Sequence, residues 1–256
     1  MLVSDQHHDS PYCNRKLEKE HLDKARERNA MIFFGGDTFD AMQARHDPRA
    51  SYDHLEPFLL RENYLDACVA YNAEFYKPYA KNIVMIGQGN HEASVLKHHN
   101  VSLIDRLVSE LNRAGGHVHV GGYGGWIRFL FTVGGTRSSI NVKYYHGSGG
   151  EAPVTRGVIQ TARQGIYLPD ATICWNGHNH NEYIVAVPRE RLSTKGKIYK
   201  DTAYYVRTPG YCDDYGDGSK GWAVEKGLAP KSFGCIWLRL SSYDNQVNIV
   251  AEMDIR

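Results

Sequence analysis

The sequence predicts an α/β fold built on two β-sheets. Three observations predict it. Short apolar runs, each about one strand long and rich in β formers, recur along the chain. Up to Gly116 they alternate with stretches of helical spacing, as an α/β sheet requires. Beyond Gly116, strand-like runs follow one another with few helices between them, so a second, largely antiparallel sheet is expected.

Leu2 and Val3, ahead of Asp5, read as the stub of a first strand. Only four residues precede Asp5, so this strand is short and fits a truncated or misassigned start. Asn14 to Asn29 is charged and strongly helix-forming. Ala30–Phe34 (AMIFF) is a strand running into Gly-Gly-Asp. Leu55–Tyr79 spaces Phe58, Leu59, Tyr64, Leu65, Cys68, Val69 and Phe75 helically. Asn82–Ile86 (NIVMI) is a strand leading to Gly-Gln-Gly-Asn-His-Glu. Ser102–Ala114 puts Leu103, Leu107, Val108 and Leu111 on one helical face, with Gly115-Gly116 as its stop. The later strands are 118–120, 126–133, 141–145, 171–175, 183–187, 203–206, 235–240 and 247–251. No repeat, low-complexity tract or linker interrupts them. One domain over residues 1–256 is expected, with a helical insert around 41–80 and a loop-rich aromatic segment at 208–234.

Composition narrows the function. The chain is 42% hydrophobic and 23% charged, with a net charge of +1, so it lacks the basic excess of a protein that coats nucleic acid. No apolar run approaches the roughly 18 residues of a membrane span, and no signal peptide is expected. The five cysteines are scattered without a CxxC pair, which fits free thiols in a reducing, cytoplasmic setting.

Five segments carry metal-capable side chains: Asp5-Gln6-His7, Gly36-Asp37, Gly89-Asn90-His91-Glu92, His146-Gly147 and Gly177-His178-Asn179-His180. Each follows a strand-like run. Loops at the carboxyl ends of strands converge on one crevice, so strands sharing a sheet would bring these side chains together. Imidazole, carboxylate and amide donors suit borderline divalent ions and not a thiolate-rich structural zinc site. In extended backbone, residues i and i+2 point the same way, so Asp5 and His7 can share one ion. His178 and His180 can likewise project to one side and reach neighbouring ions. Asp37 can bridge two ions about 3.5–4 Å apart. Two divalent ions bring four positive charges, of which Asp5 and Asp37 offset two. The pocket stays electropositive, which suits a phosphate and a metal-bound hydroxide.

The order DxH, GD, GNHE, H, GHxH resembles the calcineurin-like metallophosphoesterase superfamily over roughly residues 1–185. The resemblance implies a four-layer αββα sandwich of two mixed sheets flanked by helices. It implies two divalent ions, manganese first, with iron, zinc or nickel as alternatives. The first would be held by Asp5, His7, Asp37 and His180, the second by Asp37, Asn90, His146 and His178. His91 would act at the leaving-group oxygen, as proton donor or transition-state stabiliser; Asp37 and His91 are thus the catalytic candidates. A His91 that only orients a neighbour is the plainer reading. Glu92 is expected to support its loop and not to bind metal.

The implied activity is phosphodiester hydrolysis on nucleotides or nucleic-acid ends. Phosphomonoester hydrolysis on small molecules or phosphoproteins is the alternative, and a noncatalytic scaffold a third. Protein phosphatases of the superfamily extend the second motif as GDxVDRG; this chain has Gly36-Asp37-Thr38-Phe39-Asp40-Ala41-Met42, without the Arg-Gly pair. His46, His54, Arg45, Arg49 and Arg137 are further substrate-contact candidates, and Tyr211, Tyr215 and Trp222 candidates for stacking on a base or partner. His8 and His21 read as solvent-facing. A homo-oligomer is an open option.

Overall fold

The computed structural model describes residues 1–42, 55–150, 154–155, 157–219, 222–243 and 246–256. In chain order the early elements are β1 (Leu2–Val3), α1 (Arg15–Glu27), β2 (Ile32–Phe34), α2 (Tyr64–Tyr76), β3 (Ile83–Ile86), α3 (Asn90–His99), α4 (Leu103–Arg113) and β4 (His119–Val120). Then come β5 (Gly124–Val133), β6 (Thr136–Tyr145), α5 (Val158–Tyr167), β7 (Ile173–Asn176), β8 (Tyr183–Leu192) and β9 (Ile198–Arg207). A short helix α6 (Trp222–Glu225) and the hairpin β10 (Gly234–Tyr243) and β11 (Gln246–Ile255) complete the described α-helices and strands.

The first sheet runs β11-β10-β1-β2-β3-β4 and the second β5-β6-β7-β9-β8. Strands β1 to β4 are parallel, while β10 lies antiparallel to β1. In the second sheet β6, β7 and β9 are parallel and the outer β5 and β8 antiparallel. Both sheets are therefore mixed. This corrects two expectations. The second sheet is antiparallel along its long outer ladders, β5–β6 and β8–β9, but parallel at its centre, and β4, β10 and β11 belong to the first sheet. A hairpin added beside β1 satisfies an edge that β1, two residues long, leaves open.

Three apolar layers fix the stacking. One face of the first sheet (Val3, Phe34, Ile83, Ile86) packs on Leu17 and Leu22 of α1, Cys68 and Tyr76 of α2, and Leu103, Leu107 and Leu111 of α4. Its other face (Leu2, Phe33, Met85, Ile236) meets Val142, Tyr144, Ile173, Trp175 and Val206 of the second sheet. The far face of that sheet carries Cys174, Ala203 and Tyr205, with Val158 of α5 packed against them. Successive strand residues point to opposite faces, so Leu2 and Val3, like Phe33 and Phe34, serve different layers. The order is helices, sheet, sheet, helix: an αββα sandwich.

Local signals act as read. Asn14 Oδ1 accepts from Leu17 N at 3.1 Å and starts α1. Gly115, at φ 90°, stops α4 while Gly116 N donates to Leu111 O at 3.1 Å, a Schellman closure. Of the stretch read as an insert, residues 43–54 lie outside the described residues, and α2 belongs to the helical layer over the first sheet. Among the described residues no helix is long and apolar enough to cross a membrane.

Candidate metal centre

The carboxyl ends of β1, β2, β3, β6 and β7 reach one rim. The five strands do not share a sheet, as the crevice argument assumed: three belong to the first and two to the second. Backbone bonds sew their loops together. Asp5 N donates to Gly36 O at 2.9 Å, His7 N to Asp37 O at 3.0 Å and Gly177 N to His146 O at 2.8 Å. His178 N donates across the seam to both Asp5 carboxylate oxygens, at 3.1 and 2.9 Å. Asn90 and His91 occupy the first turn of α3, not a loop, and His98 and His99 its last turn.

The backbone at the site is not extended. Asp5 (φ 55°), His7 (45°), Asp37 (51°), His178 (73°) and His180 (54°) all lie in the left-handed region. Non-glycine residues seldom adopt it, at about 1–3 kcal/mol each, and such strain gathers at functional sites. Asp5–His7 and His178–His180 therefore curl, where the i, i+2 expectation needed extended backbone. Close approach also demands glycine. A Cβ on Gly89 would stand 2.1 Å from Asp37 Oδ1, and one on Gly36 2.7 Å from His146 Nδ1.

The ligand atoms fall into overlapping groups. Asp5, His7 and His180 form one; Asp37, His146 and His178 form another; within each, the ligand atoms lie within 4.8 Å of one another. Asp37 also groups with His7 and His91, so it adjoins both sets. Asn90 Oδ1 lies 3.1 Å from His146 Nε2 and 2.8 Å from His178 Nδ1, on the second set. His146 Nε2 lies 3.1 Å from Asp37 Oδ2, and His180 Nε2 3.5 Å from Asp5 Oδ1. His178 and His180 thus turn to different sets, with Asn179 on the wall of a neighbouring cavity.

A surrounding layer orients these groups. Asp40 Oδ1 takes His7 Nδ1 at 3.1 Å, leaving the buried His7 Nε2 without a hydrogen-bond partner. Gly35 O accepts from His146 Nδ1 at 3.0 Å, which presents Nε2 to Asn90 and Asp37. Glu92 accepts from three backbone N–H groups: Asp37 at 3.2 Å, Phe39 at 2.9 Å and Gly89 at 2.8 Å. Asp9 accepts from Asp40 N and Ala41 N at 2.8 and 2.9 Å. His91 N donates to Asp37 Oδ1 at 2.9 Å, while its Nδ1 meets Asp40 O at 2.5 Å.

The electrostatics fit cations. Burial alone would raise the Asp5 and Asp37 carboxyls, yet the imidazoles of His180 and His146 hold both well below the usual carboxylate range. Burial alone would lower His7 and His146, but Asp40, Asp37 and Asp5 push His7 up to about 10, and Asp37 pushes His146 up to about 9. Burial lowers His178. Burial and the nearby Asp37 raise Glu92 to about 7. Carboxylates that draw protons onto buried imidazoles are a donor set asking for positive charge.

Other candidates are placed elsewhere. His8 and His21 are buried, not solvated: His8 Nδ1 meets Glu18 at 2.7 Å, and His21 Nδ1 meets the Tyr211 hydroxyl at 2.9 Å. That makes Tyr211 a core residue. Arg137 is the second residue of β6, ten residues long, at the end away from His146. Arg45, His46, Arg49 and His54 lie outside the described residues. Sequence reasoning missed the orienting roles of Asp9 and Asp40.

No known protein family and no curated protein matches the chain. Among solved structures, a conserved uncharacterized protein of Streptococcus pneumoniae, described as a predicted phosphoesterase, is 12% identical with a TM-score of 0.33, over 100% of this chain and 95% of that one. A Thermotoga maritima protein solved by NMR is 11% identical with a TM-score of 0.32, over 98% and 96%. Likenesses this faint leave the site to stand on its own geometry.

Proposed function

We propose that the chain is a phosphoester hydrolase that uses two divalent ions. One is held by Asp5, His7, Asp37 and His180, the other by Asp37, Asn90, His146 and His178. We assign it as a phosphodiesterase acting on nucleotides or nucleic-acid ends. The observation that carries the reading is Asp37, which adjoins two separate sets of nitrogen and oxygen donors at one rim. When bound, such ions polarise a phosphoester and lower the pKa of water toward neutrality. The imidazole, carboxylate and amide donors suit a borderline divalent ion, and the resemblance puts manganese first, with iron, zinc or nickel as alternatives.

The chain's own residues supply orientation and a proton path. Asp40 and the Gly35 carbonyl fix the tautomers of His7 and His146. A carbonyl only accepts, so His91 Nδ1 carries its proton toward Asp40 O, and Nε2 is left to exchange a proton with the leaving oxygen. To donate, Nε2 must carry a second proton, and Asp40 Oδ1, 3.6 Å from Nδ1, gives that imidazolium a counter-charge until its proton passes to the leaving oxygen. The near-neutral net charge favours a compact nucleotide or strand end over long duplex.

The test is hydrolysis of bis-p-nitrophenyl phosphate and p-nitrophenyl phosphate by EDTA-treated protein, with and without Mn²⁺. Turnover of the diester should require metal, and Asp37→Asn should reduce it by about a hundredfold or more. A strong preference for the monoester redirects the assignment to a phosphomonoesterase. Absence of metal-dependent turnover of either ester sinks the reading.

A further inference from the structure

A second group of metal-capable side chains lies outside the proposed centre, where α1 packs on the β10–β11 hairpin. Cys235 and Asp254 are paired directly across β10 and β11, so their side chains share one face of the sheet. His21 of α1 meets that pair. One ligand atom from each of the three lies within 4.8 Å of the other two. His21 Nε2 is 3.4 Å from Asp254 Oδ1. Two nitrogen or oxygen ligands of one tetrahedral zinc ion, with bonds of about 2.0 Å, stand roughly 3.3 Å apart. Cys235 and His21 are buried, while the Asp254 side chain, 30% exposed, leaves an approach from solvent.

Neighbouring groups hold each ligand from behind. Lys24 Nζ at 2.8 Å and Trp237 Nε1 at 3.3 Å both donate to Asp254 Oδ2, which leaves Oδ1 toward His21. His21 Nδ1 meets the Tyr211 hydroxyl at 2.9 Å, and the same hydroxyl is hydrogen-bonded to Cys235. This chain of bonds can run in either direction. Run from the thiol to the imidazole, it leaves a proton on Nε2 aimed at Asp254 Oδ1. Their 3.4 Å separation exceeds the roughly 2.7–3.2 Å of such a bond, and the buried Nε2 makes none. Run from the imidazole to the sulfur, it makes the hydroxyl a donor to a thiolate and turns a bare Nε2 lone pair on two anions. A cation seated among the three completes that arrangement. Burial holds His21 below its ordinary value, in the neutral form that ligates. Burial pushes Cys235 up to about 12, so the metal must displace its proton. Imidazole, thiolate and carboxylate together suit zinc, and not magnesium or calcium, which take oxygen.

We propose that His21, Cys235 and Asp254 bind one zinc ion, with solvent as the fourth ligand, and that this ion clamps α1 to the β10–β11 hairpin. The site is separate from the candidate hydrolytic centre, whose named ligands include no cysteine.

That difference supplies the test, a cobalt(II) titration of the full, EDTA-treated chain. Thiolate ligation gives a sulfur-to-cobalt charge-transfer band in the near ultraviolet, which nitrogen and oxygen donors do not. The band should appear, and zinc should abolish it by replacing cobalt. Cys235→Ser should remove it. Cys13→Ser should leave it, although Cys13 also lies in a group with His8 and Glu18. Asp254→Asn, at a part-exposed position, should weaken cobalt binding read from the band by about tenfold or more, and it decides the matter should Cys235→Ser fail to fold. No band, a band that survives Cys235→Ser or is lost in Cys13→Ser, or unchanged affinity in Asp254→Asn overturns the proposal. Ester turnover does not enter the readout, so the zinc site and the hydrolase stand or fall separately.

Discussion

Glu92 offers the sharpest test of how the site is held. Its carboxylate is buried and accepts three backbone N–H groups, from Asp37, Phe39 and Gly89. A buried donor left without an acceptor costs about 1–3 kcal/mol, so Glu92→Ala should destabilise the fold by about 3–9 kcal/mol. That is a large share of the roughly 5–15 kcal/mol that holds a domain folded. Glu92→Gln keeps one oxygen. Its best placement serves Asp37 N and Gly89 N, the two that share Oε2, and turns the amide nitrogen on Phe39 N. The loss is then one bond, about 1–3 kcal/mol. Urea unfolding of the metal-free protein should rank wild type, Gln and Ala in that order. Manganese affinity should fall about 10- to 100-fold in the Gln variant, because the amide nitrogen facing Phe39 N shifts the loop that carries Asp37. An alanine variant within about 1 kcal/mol of wild type would show that Glu92 does not hold this loop.

Gly89→Ala separates site from fold. Its φ of −108° admits any residue, but the new Cβ would collide with Asp37 Oδ1. Unfolding should shift by about 1–3 kcal/mol, while manganese binding by electron paramagnetic resonance should weaken far more; unaltered binding contradicts the collision. Metal binding should release protons at pH 7, because His7 at about 10 and His146 at about 9 hold protons that ligation must displace. Calorimetry in buffers of different ionisation enthalpy counts them, and a count of zero refutes the assignment. Both pKa values are raised above the unfolded 6.5, so the stability they contribute is complete below pH 6.5 and is lost as pH rises through about 9 and 10. The melting temperature of EDTA-treated protein should fall across that interval. Asp40→Asn should leave the fold intact and lower metal affinity about tenfold by loosening His7, as read by competition with a chelating dye.

Strand positions were legible because β2 and β3 are short apolar runs that end in glycine, and the ligand segments because each follows such a run. Sheet membership was not legible. Nothing local in Cys235–Leu240 says that β10 pairs with β1, more than 200 residues away; that pairing comes from the open edge that a two-residue strand presents. Helix α3 was hidden because its first turn is the Asn-His-Glu of a motif, and α5 because glycines flank and interrupt it. The left-handed backbone at Asp5, His7 and Asp37 was hidden for a different reason. Aspartate and histidine carry no conformational label comparable to glycine, and their torsions are imposed by the loops bonded to one another across the rim. The burial of His8 under Tyr71 and Phe75, and of His21 against Tyr211, followed from partners distant in sequence.

The centre straddles the seam between the two sheets. Asp5, His7, Asp37 and Asn90 extend from one sheet, and His146, His178 and His180 from the other. Behind them Trp175 presses so close to Gly35 that a Cβ there would stand 2.8 Å from the indole. Ions seated at this junction would act as rivets, closing chain loops of more than a hundred residues and tying one half of the molecule to the other. The spacing of the rivet holes is then set by how the apolar faces of the two halves nest, at Phe33, Met85, Ile173 and Trp175. A methyl group trimmed from that interface, touching no candidate ligand, would then be expected to alter the grip on metal by letting one half slide against the other.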